Sequence, residues 1–84
     1  MTLDELKEIS KKKLEQSQNS DQVTSVLSEV KFTIRKIGFS LPIQSLFWNL
    51  LQGELNDTEF ADSNVKLTAQ KIVQQNIKSI MTDM

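Results

Sequence analysis

The ionisable side chains of this 84-residue chain have types and spacings that could support only a few kinds of chemistry. His and Cys are both absent, which excludes a Ser-His-Asp triad, an imidazole metal site, a zinc ribbon and a disulfide framework. Two acidic pairs, Asp4 with Glu8 and Asp57 with Asp62, contain the residue type used in general acid–base catalysis. Both pairs fall at predicted helix starts, where capping and the helix dipole already explain acidic residues. We therefore expect no enzymatic activity, no bound metal and no cofactor.

Two groups of basic residues could bind an anionic surface. Lys11-Lys12-Lys13 lies close to Lys7, and a second group on the second predicted helix contains Lys31, Arg35 and Lys36. Both groups have acidic neighbours, and the formal net charge is −1. Because nucleic-acid affinity comes largely from phosphate neutralisation, we expect no nucleic-acid binding. Solvated helix faces are the favoured interpretation, and weak attraction to an anionic membrane surface stays open.

The large aromatic side chains cluster around two predicted turns, at Phe39, Phe47, Trp48 and Phe60. Core packing is the prediction for Phe47 and Phe60. Trp48 lies just off the apolar stripe, beside Phe47, which takes the inward direction. An exposed Trp next to an apolar rim is a common interface anchor. The sequence is therefore equally consistent with Trp48 in the core and with Trp48 at an interface.

Apolar periodicity predicts two helices in the first half of the chain. The first spans about 3–18 and begins with a capping box at Thr2. The second starts near residue 21, is capped by Asn19 or Ser20, and ends at Gly38, a residue suited to a left-handed helix terminus. Its apolar positions form the clearest stripe in the chain: Val23, Val26, Leu27, Val30, Ile34 and Ile37.

Two further helices are predicted in the second half. The third is capped by Ser40, tolerates Pro42 in its first turn and is closed by Gly53. Its predicted apolar stripe contains Ile43, Leu46, Phe47, Leu50 and Leu51. The fourth opens with a capping box at Asn56 and runs to the C-terminus, with a kink or break expected at 62–64. Leu67 falls off its apolar face.

Loops of two to five residues between these helices predict an all-α, antiparallel up-down four-helix bundle, built as a single domain over 1–84. A chain of this size should have a modest stability, on the order of a few kcal/mol. No apolar run approaches the ~18 residues needed to span a bilayer. The acidic start Met1–Glu5 is unlike a signal peptide. We therefore expect a cytoplasmic protein, with partial membrane association left open.

The stretch from Val23 to Val73 resembles the immunity proteins of pediocin-like (class IIa) bacteriocins. The matching pattern begins with an apolar-rich second helix that ends in Ile34-Arg35-Lys36-Ile37. A Gly-x-Ser-hydrophobic-Pro turn follows at Gly38–Pro42, and it is the most specific part of the pattern. An apolar third helix over Ile43–Leu51, a polar loop with Asn56-Asp57 and a long last helix complete it.

This resemblance implies a cytoplasmic four-helix bundle that protects a bacteriocin producer, or a resistant cell, without enzymatic activity. The implied partner is the membrane receptor, the mannose phosphotransferase permease, with bacteriocin bound. The family's C-terminal half governs which bacteriocin is countered, and here that half is Ile43–Met84. We expect a monomer. The candidate partner-binding residues are Trp48, Phe39, Lys66, Lys71 and Lys78.

Two other functions remain open at this point. A small helical inhibitor or adaptor, for example a phage-encoded one, could bind a soluble host protein. A helix-turn-helix regulator would fit the short glycine-containing turn between the second and third helices. Its recognition helix would be Ile43–Asn49, which contains no Arg or Lys, so this alternative is disfavoured.

Overall fold

The computed structural model describes residues 2–83 and confirms the all-α, antiparallel four-helix bundle. Three short connections join the helices, as the predicted loop lengths required. The helices are α1 (Leu3–Gln16), α2 (Ser20–Ile37), α3 (Leu41–Asp57) and α4 (Ser63–Asp83).

The predicted signals for the ends of α1 and α2 are confirmed. Thr2 Oγ1 accepts a hydrogen bond from the backbone N–H of Glu5 at 3.2 Å. The side chain of Asn19 accepts from the backbone N–H of Gln22 at 2.9 Å, which caps α2. Gly38 ends α2 with φ +88°, a left-handed conformation that disfavours any residue with a Cβ.

The ends of α3 differ from the prediction. Ser40 holds the N-cap position, but its side chain makes no capping hydrogen bond, while Pro42 lies in the first turn as expected. The predicted stop at Gly53 is wrong, because α3 continues through it to Asp57. A glycine inside a helix costs roughly 0.5–1 kcal/mol. Full burial of Leu55 offsets that cost.

The fourth helix starts later than predicted. Residues 58–62 form the connection, so the capping role predicted for Asn56 is wrong and Asp57 ends α3 instead of beginning α4. Asp62 Oδ1 accepts from the backbone N–H of Val65 at 2.9 Å. The break expected at 62–64 is therefore the start of α4.

The four helices are arranged as a square with α4 between α2 and α3, and with α1 packed on both α2 and α3. Contacts across the diagonals, between α1 and α4 and between α2 and α3, are slight. One buried apolar cluster fills the centre. Its members are Leu6, Leu14, Val23, Leu27, Val30, Ile34, Phe47, Trp48, Leu51, Leu55, Val65, Ala69, Val73 and Ile80.

None of the helices within residues 2–83 combines the length and the apolar character needed to cross a bilayer.

Candidate functional site

The acidic pairs that could have served catalysis lie on the surface. Asp4, Glu8, Asp57 and Asp62 are all exposed, and Asp62 is engaged as the cap of α4. Within residues 2–83 there is no group of three or more Asp and Glu side chains arranged to hold a metal ion. The surface of the bundle is therefore more informative about function than these carboxylates.

An exposed apolar strip runs along α3. It consists of Ile43, Leu46 and Leu50, whose side chains are 42 %, 52 % and 38 % exposed. Spacings of three and four residues place the three side chains on one face of the helix. We call this surface the α3 strip. These residues were predicted to be part of the core stripe, and that prediction is wrong for all three.

The α3 strip lies in an uncharged part of the chain. No Asp, Glu, Lys or Arg occurs from Ile37 to Gly53. On the solvated face of an ordinary bundle helix, charged and polar residues are expected instead. Three neighbouring large apolar side chains in an uncharged stretch of a helix are typical of an interaction site.

Two ion pairs join α1 to α3 beyond the strip. Lys7 and Lys11 of α1 both bind the carboxylate of Glu54, one turn beyond Leu50. The Nζ–Oε distances are 3.5 Å for Lys7 and 3.1 Å for Lys11. These ion pairs fix α1 against the C-terminal end of α3, while the strip occupies the preceding turns.

The same ion pairs shift two pKa values. The hydrogen bond from Lys11, followed by its positive charge, lowers the pKa of Glu54 below its usual value. The hydrogen bond to Glu54 and its negative charge raise the pKa of Lys11. The side chains are 27 % and 30 % exposed, for Lys11 and Glu54 respectively, so solvent screens the pair. Its role is to position α1 on α3.

Trp48 lies in the core, which is one of the two positions that the sequence left open. Its side chain is 1 % exposed and packs edge-to-face on Phe47, with the ring centroids 5.1 Å apart and the planes at 75°. Phe47 is buried as predicted, whereas Phe60 and Phe39 are half-buried and pack against the core. Trp48 therefore belongs to the core, and Phe39 offers only part of its ring to a partner.

The three candidate lysines do not form one cluster. Lys66 Nζ donates to the backbone carbonyl of Asn56 at 3.2 Å, beside the α3–α4 connection. Lys71 and Lys78 are exposed and, being seven residues apart, share the outer face of α4. Leu67 and Met81 continue that face, with side chains 61 % and 63 % exposed. The exposure of Leu67 agrees with its predicted position off the apolar face.

A pocket of about 220 Å³ opens where α2, α3 and α4 meet. We call it the three-helix pocket. Four apolar side chains line its inner part: Ile34, Leu41, Trp48 and Ile80. Six polar side chains complete its lining: Lys31, Arg35, Gln44, Asn76, Ser79 and Asp83. Of the polar six, only Asn76 is buried.

Sequence reasoning missed the α3 strip and the three-helix pocket for different reasons. Closing α3 at Gly53 removed Leu55 from the helix, so the true core stripe of Phe47, Trp48, Leu51 and Leu55 was not visible. With Leu55 included, the apolar residues of α3 separate into an inner stripe and the α3 strip. The pocket joins side chains from three helices and has no local signal in the sequence.

No family model matches the chain, and no curated protein or solved structure matches it at a significant level.

Proposed function

We propose that this protein is a bacteriocin immunity protein, which protects its cell against a pediocin-like bacteriocin by binding the toxin-engaged membrane receptor from the cytoplasmic side. The α3 strip is the observation that carries the proposal, because it offers an apolar docking surface. It also lies within Ile43–Met84, the half to which the sequence resemblance assigns recognition. The bundle fold agrees with that resemblance.

Binding alone would be sufficient for such a function. A protein that binds the toxin-loaded receptor more tightly than the free receptor shifts the population towards the bound form, here a blocked one. Complete burial of a Leu or Ile side chain is worth roughly 1.5–3 kcal/mol. The strip residues are already about half buried, so each would contribute roughly 1 kcal/mol on docking. Three such residues would together contribute roughly 3 kcal/mol.

The partner for the strip would be an uncharged apolar segment of the receptor–bacteriocin complex. A charged partner surface would lose hydration against Ile43, Leu46 and Leu50 without gaining an ion pair. Lys71 and Lys78 lie on another helix and would add electrostatic attraction at the edge of the interface, where charges affect the association rate more than the affinity.

The direct test is to express the gene in a bacterium sensitive to class IIa bacteriocins and to measure survival across a panel of them. The expected result is protection against at least one member of the panel. Unchanged killing across the whole panel, with the protein present at a normal level, would contradict the proposal.

Two matched variants test the role of the strip. Leu46→Gln removes the most exposed apolar side chain of the strip, and Phe32→Gln removes a large apolar side chain outside the strip, on α2, that is 67 % exposed. Both variants should fold, since neither position is buried. Protection should fall with Leu46→Gln and persist with Phe32→Gln. Equal protection by both variants would place the contact elsewhere.

Co-purification from the native host separates this function from that of an inhibitor of a soluble protein. Capture of permease subunits in the presence of bacteriocin supports immunity. Capture of a soluble enzyme instead, with the capture lost when Leu46 is replaced, would mean that the α3 strip binds a soluble host protein, as the inhibitor alternative requires.

A further inference from the structure

The side chain of Asn76 contributes an amide to the lining of the three-helix pocket. Asn76 is 9 % exposed, and its side chain makes no hydrogen bond to another residue in the described range 2–83. Every fully enclosed side-chain nitrogen or oxygen in that range has a partner, so the Asn76 amide is accessible from the pocket. The amide can therefore bond to a molecule that enters the pocket.

The charges around this amide favour an anion. Lys31 and Arg35 lie four residues apart on α2, which places both on the same side of the pocket. Neither forms an ion pair with a side chain of residues 2–83. Asp83 of α4 also lines the pocket. Two cations and one carboxylate suit a single negative charge better than the double charge of a phosphate ester.

The remaining lining adds an apolar requirement. Trp48, Leu41 and Ile80 face the space from the core side, while Ser79 and Gln44 supply further polar atoms. Gln44 already donates its amide N–H to the backbone carbonyl of Phe39 at 2.7 Å, which leaves its side-chain oxygen as an acceptor. The volume of about 220 Å³ is below the roughly 300–1,000 Å³ of pockets for drug-sized ligands. The occupant is therefore the size of one amino-acid residue.

We propose that the three-helix pocket binds a monoanionic carboxylate that carries a small branched apolar group. Lys31 and Arg35 bind the carboxylate, Asn76 donates a hydrogen bond to it, and the apolar group packs against Leu41. Two sources share this chemistry: the C-terminal residue of a peptide and a free short branched acid. The pocket uses a different face of α3 from the α3 strip, so the inference does not depend on the proposed function.

The probes are N-acetyl-leucine, its carboxamide and inorganic phosphate, each titrated into ¹⁵N-labelled protein and followed by amide chemical shifts. N-acetyl-leucine should shift the amides around Arg35, Leu41 and Asn76 in a saturable manner. The carboxamide has the same apolar group without the charge and should leave these shifts unchanged. Phosphate should bind more weakly than N-acetyl-leucine.

Three variants assign the contacts. Arg35→Gln should weaken N-acetyl-leucine binding about tenfold, because a charge-assisted hydrogen bond is lost. Lys36→Gln removes the same charge one residue further along and should bind like the wild type, since Lys36 does not line the pocket. Asn76→Leu should weaken binding to a similar degree, because the hydrogen bond from the Asn76 amide to the carboxylate is lost.

A comparison of N-acetyl-alanyl-leucine with 4-methylpentanoate distinguishes the two sources. Tighter binding of the dipeptide identifies a peptide C-terminus, in which the additional N–H can donate to Asp83. Equal or tighter binding of the simple acid identifies a free carboxylate ligand. The proposal is overturned by any of three results: no saturable shift with either carboxylate, an equal response to the carboxamide, or equal weakening by Arg35→Gln and Lys36→Gln.

Discussion

Helices α2 and α3 have nearly the same length, 18 and 17 residues, but they distribute their apolar residues differently. The four fully inward positions of α2 are Val23, Leu27, Val30 and Ile34, and they form one stripe. In α3 an inner stripe and the exposed α3 strip share the helix. When a helix has one apolar face, its sequence predicts which face is buried. When a helix has two, the packing of the neighbouring helices decides which face is buried.

The largest expected effect concerns the two apolar faces of α3. Trp48→Ala should lower the free energy of unfolding by about 3–5 kcal/mol, because a large buried side chain is replaced by a cavity. Leu46→Ala, on the exposed face, should change it by less than about 0.5 kcal/mol. Urea unfolding followed by circular dichroism measures both. Similar losses for the two variants would remove the distinction between the faces.

The next effect compares how the two helices begin. Asn19→Ala should destabilise the protein by about 1 kcal/mol, because the backbone N–H of Gln22 loses its acceptor. Ser40→Ala should cost at most a few tenths of a kcal/mol, since the Ser40 side chain makes no capping hydrogen bond. Thermal unfolding of the two variants side by side checks this difference. A larger loss at Ser40 would reverse the assignment of the caps.

The two glycines should respond to alanine in opposite directions. Gly38→Ala should destabilise the protein by about 1 kcal/mol, because a Cβ is strained at φ +88°. Gly53→Ala should stabilise it by about 0.5–1 kcal/mol, because a Cβ there meets no atom within 4 Å and alanine is the better helix former. Denaturant midpoints give both signs. A loss of stability at Gly53 would mean that α3 ends where the sequence pattern predicted.

The smallest effect concerns the C-terminal end of α3. Ion pairs from α1 bind this end, whereas α2 ends in a local turn at Gly38. The pKa of Glu54 is lower in the folded protein than in the unfolded chain, so its ion pairs stabilise the fold above the unfolded pKa. That contribution is lost as the pH falls through the lower, folded pKa.

Glu54→Gln should therefore flatten the dependence of stability on pH on the acidic side, with little change elsewhere. Glu59→Gln, at an exposed carboxylate with no ion pair in the described range, is the matched control. An NMR titration of Glu54 that gave an ordinary or raised pKa would contradict the assigned ion pairs.

Local signals were sufficient for most of the fold. Thr2, Asn19 and Gly38 act within one or two turns of their own positions, so their roles were readable from the residues alone. The errors came from residues whose state depends on distant neighbours. Gly53 remains helical because Leu55 is buried and Glu54 is bound by α1. Trp48, which the sequence left open between core and interface, is enclosed because α4 packs beside α3.

The candidate sites were less predictable than the fold. The sequence predicted correctly that the residues of the α3 strip are apolar and helical, but it placed them on the buried side of α3, whereas they lie on its exposed side. Lys31 and Arg35 were interpreted as part of a solvated face, and Asn76 had no signal at all, because the pocket exists only where three helices meet. Periodicity within one helix carries no information about the spacing between helices.

The sequence by itself determined the helical class, the number of helices, two of the three helix starts that have capping side chains, and the exclusion of His- and Cys-based chemistry. Each depends on composition or on interactions between residues a few positions apart. Only the tertiary structure decided which face of α3 is buried, where α3 ends, and that Asn76 meets Lys31 and Arg35 in one pocket. These outcomes depend on packing between helices that are distant in the chain. Burial of apolar surface dominates folding but is not directional, so the neighbouring helices decide which apolar face is buried.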